Sequence, residues 1–150
     1  IPIKDRGTGL NGAVRDALEQ AAADGVALLY LAADLPLVST GEVDELARAG
    51  DSRHFVIAAD RWRQGTNALL VPPGKPFEPS FGEGSFEVHL AAIKRAEERV
   101  RTLTSEGLGL DIDTSADLDQ LLLRRPGWWE YAEQVSRWLH SELRHRAVEA

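Results

Sequence analysis

Cysteine and methionine are both absent from the 150 residues. Without cysteine there is no disulfide framework, and no thiolate can hold zinc or an iron–sulfur cluster. Without methionine, and with isoleucine in first place, the sequence reads as a fragment or a processed chain. Positive charge is in deficit: 17 Lys and Arg stand against 24 Asp and Glu, a formal net charge of −7. A nucleic-acid-binding module carries a basic face, so a nucleic acid is not the expected partner. No apolar run approaches the roughly 18 residues of a membrane span, and no signal-peptide pattern opens the chain. A cytoplasmic protein with no membrane partner is the expectation. What is present is the balance of a globular domain: 43% hydrophobic and 27% charged residues, in a length that suits one domain with a sizeable core.

Along the chain, helical and extended patterns alternate. Leu10, Val14, Ala17, Leu18 and Ala21 recur at helical spacing, with Asn11 as a candidate cap. Val26 to Ala33 is continuously apolar, as a parallel strand buried on both faces is. Ser39 and Glu42 form a capping box for the next helix. Phe55–Ala59 and Asn67–Val71 read as short strands, and residues 72–84 as a loop long enough to carry function. Ser85 is expected to cap a helix bearing Phe86, Leu90, Ile93 and Ala96. Val100–Thr104 reads as a strand, and Gly107–Asp113 as a turn followed by a strand. Thr114 and Asp117 form a second capping box. Pro126-Gly127 breaks the chain before a last amphipathic stripe of Trp128, Ala132, Val135, Leu139 and Leu143. The alternation predicts an α/β fold, with one domain over 1–125 and a carboxy-terminal helix over 126–150.

Three constellations fall at strand ends, where open α/β sheets bind ligands. Asp34 follows the first apolar run, where it is functional, a surface loop aspartate or a cap for the next helix. Asp111 and Asp113 are alternate residues, so an extended backbone would aim both carboxylates one way. Two like charges held together call for a cation, and magnesium suits one or two carboxylates completed by phosphate oxygens. The plainer reading is an acidic start to the helix that Thr114 caps. Phe81-Gly-Glu-Gly-Ser85 runs into a helix, and such a start, with the Ser85 hydroxyl, suits a phosphate or is an ordinary capped turn. Thr66, in Gly65-Thr-Asn67, either offers its hydroxyl to an anion or closes a turn.

Rival motifs carry less. Gly7-Thr-Gly-Leu-Asn-Gly12 matches the dinucleotide fingerprint, with Asp34 near the place of the ribose-binding acid. However, the strand that should precede it is reduced to Ile1–Ile3, and Pro36 closely follows the acid. The four histidines, 54, 89, 140 and 145, have no metal-ligand spacing. His89 could lean over a ligand or face water. Trp128, Trp129 and Trp138 have no basic cluster beside them and read as packing or a partner surface. There is no P-loop and no nucleophile elbow.

Taken in order, Gly9-Leu-Asn11, Ala33-Asp-Leu-Pro36, Gly65-Thr-Asn-Ala-Leu69, Phe81-Gly-Glu-Gly-Ser-Phe86 with His89, and Gly109-Leu-Asp-Ile-Asp-Thr114 with Asp117-Leu118 make a pattern. It resembles the phospholactate or phosphoenolpyruvate guanylyltransferases of deazaflavin coenzyme F-420 biosynthesis, over residues 5 to about 122. The resemblance implies a Rossmann-like, three-layer α/β nucleotidyltransferase fold, shared with the molybdenum-cofactor guanylyltransferases. It implies that GMP passes from GTP to a small phosphorylated acid, with release of diphosphate. It also implies magnesium at Asp34, Asp111 and Asp113, a substrate-phosphate pocket at Thr66, Gly82 and Ser85, and a nucleotide contact at Gly9, Leu10 and Asn11. The departure is at the front. The family's opening lysine- and arginine-bearing loop does not follow Ile1–Lys4, and about two βα units, on the order of 60 residues, are missing from the pattern. The chain is therefore not expected to turn over alone. The tail from Pro126 exceeds the pattern, and its amphipathic stripe could cover exposed core or pair with another chain, as in a homodimer. Two alternatives stay open: a degenerate, non-enzymatic module that binds metal and phospho-acid, and a sibling nucleotidyltransferase with another base or acceptor.

Overall fold

The computed structural model describes residues 6, 7, 9–51, 53–128 and 130. The chain forms two compact units, Ile1–Asp111 and Ile112–Ala150. Most of the carboxy-terminal helix expected over 126–150, and with it the homodimer surface, lies outside the described residues. None of the described helices is long and apolar enough to cross a membrane.

In the first unit the order is α1 (Gly9–Asp24), β1 (Leu28–Leu31), α2 (Thr40–Ala49), β2 (His54–Ala59), β3 (Thr66–Val71), α3 (Ser85–Arg95), β4 (Arg99–Leu103) and α4 (Glu106–Gly109). The second unit contributes α5 (Ser115–Arg124). The four strands make one sheet, ordered β1-β3-β2-β4. β3 runs antiparallel to β1 and β2, whereas β2 and β4 are parallel. So β1, β2 and β4 point the same way, and their carboxyl ends share an edge with the amino end of β3.

Side-chain alternation along the two central strands builds a layer on each face. Phe55, Ile57, Leu69 and Val71 meet Phe86, Leu90 and Ile93 of α3, with Leu18 of α1 packed against the same cluster. Val56, Ala58, Ala68 and Leu70 meet Leu46 of α2 and Leu108 of α4. This is the α/β fold the alternation predicts, in the three-layer form the resemblance implies. Each fully buried aliphatic or aromatic side chain here contributes roughly 1.5–3 kcal/mol.

Both capping boxes form. The Ser39 hydroxyl accepts from the Glu42 N–H, and the Thr114 hydroxyl from the Asp117 N–H, with each acid reaching back to its cap. Elsewhere the boundaries move for physical reasons. The expected Val26–Ala33 strand shrinks to Leu28–Leu31, half-buried throughout, and among the described residues it pairs antiparallel, with β3. Val26 is used in closing α1. Its N–H donates to Ala21 O and the Gly25 N–H to Ala22 O, with Gly25 at φ +67°. That is a Schellman ending, and its left-handed residue favours glycine. Asn11 is no cap but sits inside α1, and Ser85 is the first residue of α3, behind an N-cap Gly84 that makes no side-chain cap. The expected turn and strand at 107–113 begins instead as α4, capped by the Ser105 hydroxyl, which accepts from the Leu108 N–H.

Candidate active site

Hydrogen bonds lace the shared sheet edge together. The Ala32 N–H, just past β1, donates to Asn67 O at 2.8 Å. The Asn67 side chain donates to Leu108 O at 3.0 Å, and the Arg61 N–H, just past β2, donates to Gly109 O at 2.8 Å. Three strand ends and the end of α4 are thereby fixed to one another, with Asp111 two residues beyond the last tie. The turn after β2 is held by Asp60. Its carboxylate accepts from the N–H groups of Trp62, Gln64 and Gly65 at 2.9, 2.9 and 2.7 Å.

β3 starts with a bulge: Ala58 faces Ala68, yet Ala59 faces Thr66, which leaves Asn67 as the extra residue. Bulges re-aim side chains beside functional sites. Here Asn67 turns to α4, and Thr66 turns to α3. Thr66 Oγ1 lies 3.3 Å from Ser85 Oγ and 3.0 Å from His89 Nδ1. Thr66, Ser85 and His89 are all buried, the histidine completely. The other ring nitrogen, His89 Nε2, accepts from the Ser80 N–H at 2.8 Å. Phe77 and Phe81 flank the ring, with centroids 5.3 and 4.8 Å away. Burial pushes the His89 pKa down to about 4.

The glycine loop next to this cluster takes its shape from left-handed backbone at Gly82 (φ +131°) and Gly84 (φ +72°). Two N–H groups expected to be open at the start of α3 are used within the protein: Ser85 donates to Gly82 O and Phe86 to Gln64 O. What this turn offers an anion is therefore the hydroxyl pair and the exposed glycine backbone. Asn11 ties α1 to the loop, accepting from the Phe81 N–H at 2.6 Å and donating to Phe81 O at 3.2 Å. The candidate nucleotide segment Gly9–Asn11 and the candidate phosphate pocket are thus directly joined.

Of the three candidate metal ligands, Asp34 and Asp113 are exposed and Asp111 is half-buried. Asp34 makes itself felt at Tyr30, whose pKa is raised by burial and then by that negative charge. Tyr30 packs on Phe81 at 4.4 Å, which links Asp34 to the loop. Asp111 closes the first unit, while Asp113 belongs to the second, where its N–H donates to Asp117. Among the described residues no group of three His, Asp or Glu side chains gathers to hold a metal ion, and no basic side chain is paired with Asp34 or Asp113. The donor chemistry suits magnesium, which takes one or two carboxylates and completes its shell from water and substrate phosphate.

Sequence reasoning singled out Thr66, Ser85 and Asp34 but missed Asp60 and the Asn11–Phe81 pair. The first was legible only as an aspartate five residues before a glycine. The second spans 70 residues and left no local signal.

Comparison with known proteins gives a concordant result. A family model described as guanylyl transferase CofC like matches residues 2–140. A phosphoenolpyruvate guanylyltransferase of Sphaerobacter thermophilus is 39% identical over 127 residues, covering 84% of this chain and 61% of that protein. One from Rubrobacter xylanophilus is 44% identical over 123 residues (79% and 59%), and one from Chloroflexus aggregans 36% over 119 residues (79% and 59%). The chain spans about three fifths of the length of these curated relatives.

Proposed function

We propose that this chain, which belongs to the CofC-like guanylyl transferase family, carries the acceptor-binding side of an enzyme that moves GMP from GTP to phosphoenolpyruvate, a step of coenzyme F-420 biosynthesis. The observation that carries the reading is the buried Thr66–Ser85–His89 cluster beside the glycine loop, at the ligand-binding edge of the sheet. The relatives named above act on phosphoenolpyruvate, which makes it the first acceptor to test, ahead of phospholactate and phosphoglycerate.

A phosphate oxygen of the acid attacks the α-phosphorus of GTP. A new P–O bond forms, the bridging α–β P–O bond breaks, and diphosphate leaves with its electron pair. The incoming phosphate is anionic near neutral pH, so no side chain has to remove a proton. The chain's task is to place the two reactants in line and to offset their charge. Thr66 and Ser85 hold the acceptor phosphate over Gly82, and Gly9–Asn11 lie against the nucleotide. Asp34, Asp111 and Asp113 are the residues that would hold magnesium, which supplies charge neutralisation on the phosphates when bound. The reaction takes place in the cytoplasm, where GTP and phospho-acids are at hand.

The test is diphosphate release by the whole protein, with GTP and each of the three acids in turn. Release is expected with GTP, magnesium and phosphoenolpyruvate together, and Asp111→Asn should abolish it. Turnover that survives in the variant would overturn the metal assignment, and release that needs no acid would overturn the reaction.

A further inference from the structure

Among the described residues His89 is the largest fully buried polar side chain, and the chemistry above gives it no part. Its protonation state follows from its neighbours. A backbone N–H can only donate, so Nε2, 2.8 Å from Ser80 N, must present a lone pair. Imidazolium and the Nε2–H tautomer would each set two donors against one another there. The ring is therefore neutral with its proton on Nδ1, and Nδ1 donates to Thr66 Oγ1. The low pKa agrees with this.

The consequence lies in counting protons. Thr66 and Ser85 bring two hydroxyl protons, and their mutual contact uses one. The imidazole has no lone pair left for the other. No carbonyl or carboxylate among the described residues accepts from either hydroxyl. The pair is left with one O–H to donate outward. With the opposite tautomer, Nδ1 would absorb that proton and the pocket would lose its donor.

We infer that His89 is a positioning residue for the acceptor phosphate: its Nδ1–H bond to Thr66 forces the Thr66–Ser85 pair to present a hydroxyl proton to an anionic oxygen. The inference rests on the reading of Thr66 and Ser85 as the phosphate pocket. It also explains why a polar ring is buried among Phe77 and Phe81, where an apolar side chain would cost less.

Two substitutions separate the ring's two contacts. In His89→Asn the side-chain amide replaces the Nδ1 donor and loses the Ser80 contact. In His89→Gln the amide reaches the Ser80 N–H but no longer donates to Thr66. Steady-state diphosphate release by the whole protein, with phosphoenolpyruvate varied at saturating GTP, should show a KM for phosphoenolpyruvate raised about tenfold or more in His89→Gln. It should stay within about threefold of the parent in His89→Asn, with the KM for GTP unchanged in both. Equal effects of the two, or a lower Tm with an unchanged KM, would overturn the inference. Thr66→Val and Ser85→Ala test the pocket itself: an unmoved phosphoenolpyruvate KM in both sinks the underlying reading. A raised KM in those two, with a normal His89→Gln, sinks only the role of His89. Ring nitrogen NMR of the parent protein supplies a readout free of mutation. A proton on Nδ1 and a bare Nε2 at neutral pH are expected, and an Nε2–H tautomer would refute the mechanism.

Discussion

A neutral histidine sealed under two phenylalanines makes stability depend on pH in a definite direction. The ring's pKa is about 4 when folded, against an ordinary value of 6.5, and the cause is burial. Between those values the unfolded chain binds a proton that the folded chain refuses, so unfolding is favoured as pH falls. The stabilisation is complete above pH 6.5, declines through the window and is lost below pH 4. Its full size is about 3 kcal/mol, at 1.36 kcal/mol per pKa unit. Urea unfolding of the parent and of His89→Asn at pH 4.5, 5.5 and 7 should show a steeper fall in the parent. Parallel curves would mean that His89 is not the group responsible. His89 also shows what a sequence leaves undetermined at single positions. As a residue on a helix, it could equally face water or a ligand. Only the packing of Phe77 and Phe81 over α3, and the bulge that turns Thr66 towards it, decide the matter.

The two capping boxes were the most legible helix ends, because their signals are local, whereas Asn11 and Ser85, each read as a cap without a reciprocal partner, lie within α1 and α3. Both capping boxes could be read from two residues three apart, and both form. Strands set by long-range pairing were located, but their roles were less clear. The Val26–Ala33 run read as a strand buried on both faces, yet β1 is short and half-buried, since Val26 is held in the close of α1. The end of α3 offers a test of the same physics. Its Glu98 N–H donates to Ile93 O and its Glu97 N–H to Lys94 O, again a Schellman ending, but with glutamate in the left-handed position at φ +55°. A residue with a Cβ is strained there, and glycine is not. Glu97 is exposed and makes no ion pair among the described residues, so Glu97→Gly removes little else. The substitution should stabilise the protein by about 0.5–1 kcal/mol, read as a higher urea midpoint with an unchanged m-value. A lower midpoint would mean that the strain is relieved by something other than backbone freedom.

For the molecule as a whole, the decisive construction is the sheet edge, and Asp60 holds it from a distance. Its carboxylate gathers three N–H groups of the turn after β2. That turn carries both the Arg61 tie to Gly109 and the chain that leads into Thr66. The turn thus joins the proposed phosphate pocket to the segment that ends at Asp111, although Asp60 has no part in the proposed chemistry. Gly65 fits the clamp closely, since a Cβ there would sit 3.1 Å from Asp60 Oδ2. Removing the clamp leaves three donors to find new partners, at a cost of roughly 1–3 kcal/mol for those that stay buried. If the edge acts as one unit, Asp60→Ala should lose stability and also lower kcat about tenfold or more, because small misplacements of reacting groups are costly. Asp60→Asn keeps one oxygen as an acceptor and should fall between the two. A lower Tm with an unaltered kcat in Asp60→Ala would mean that the turn merely stabilises the fold, and that Thr66 and Asp111 keep their positions without it.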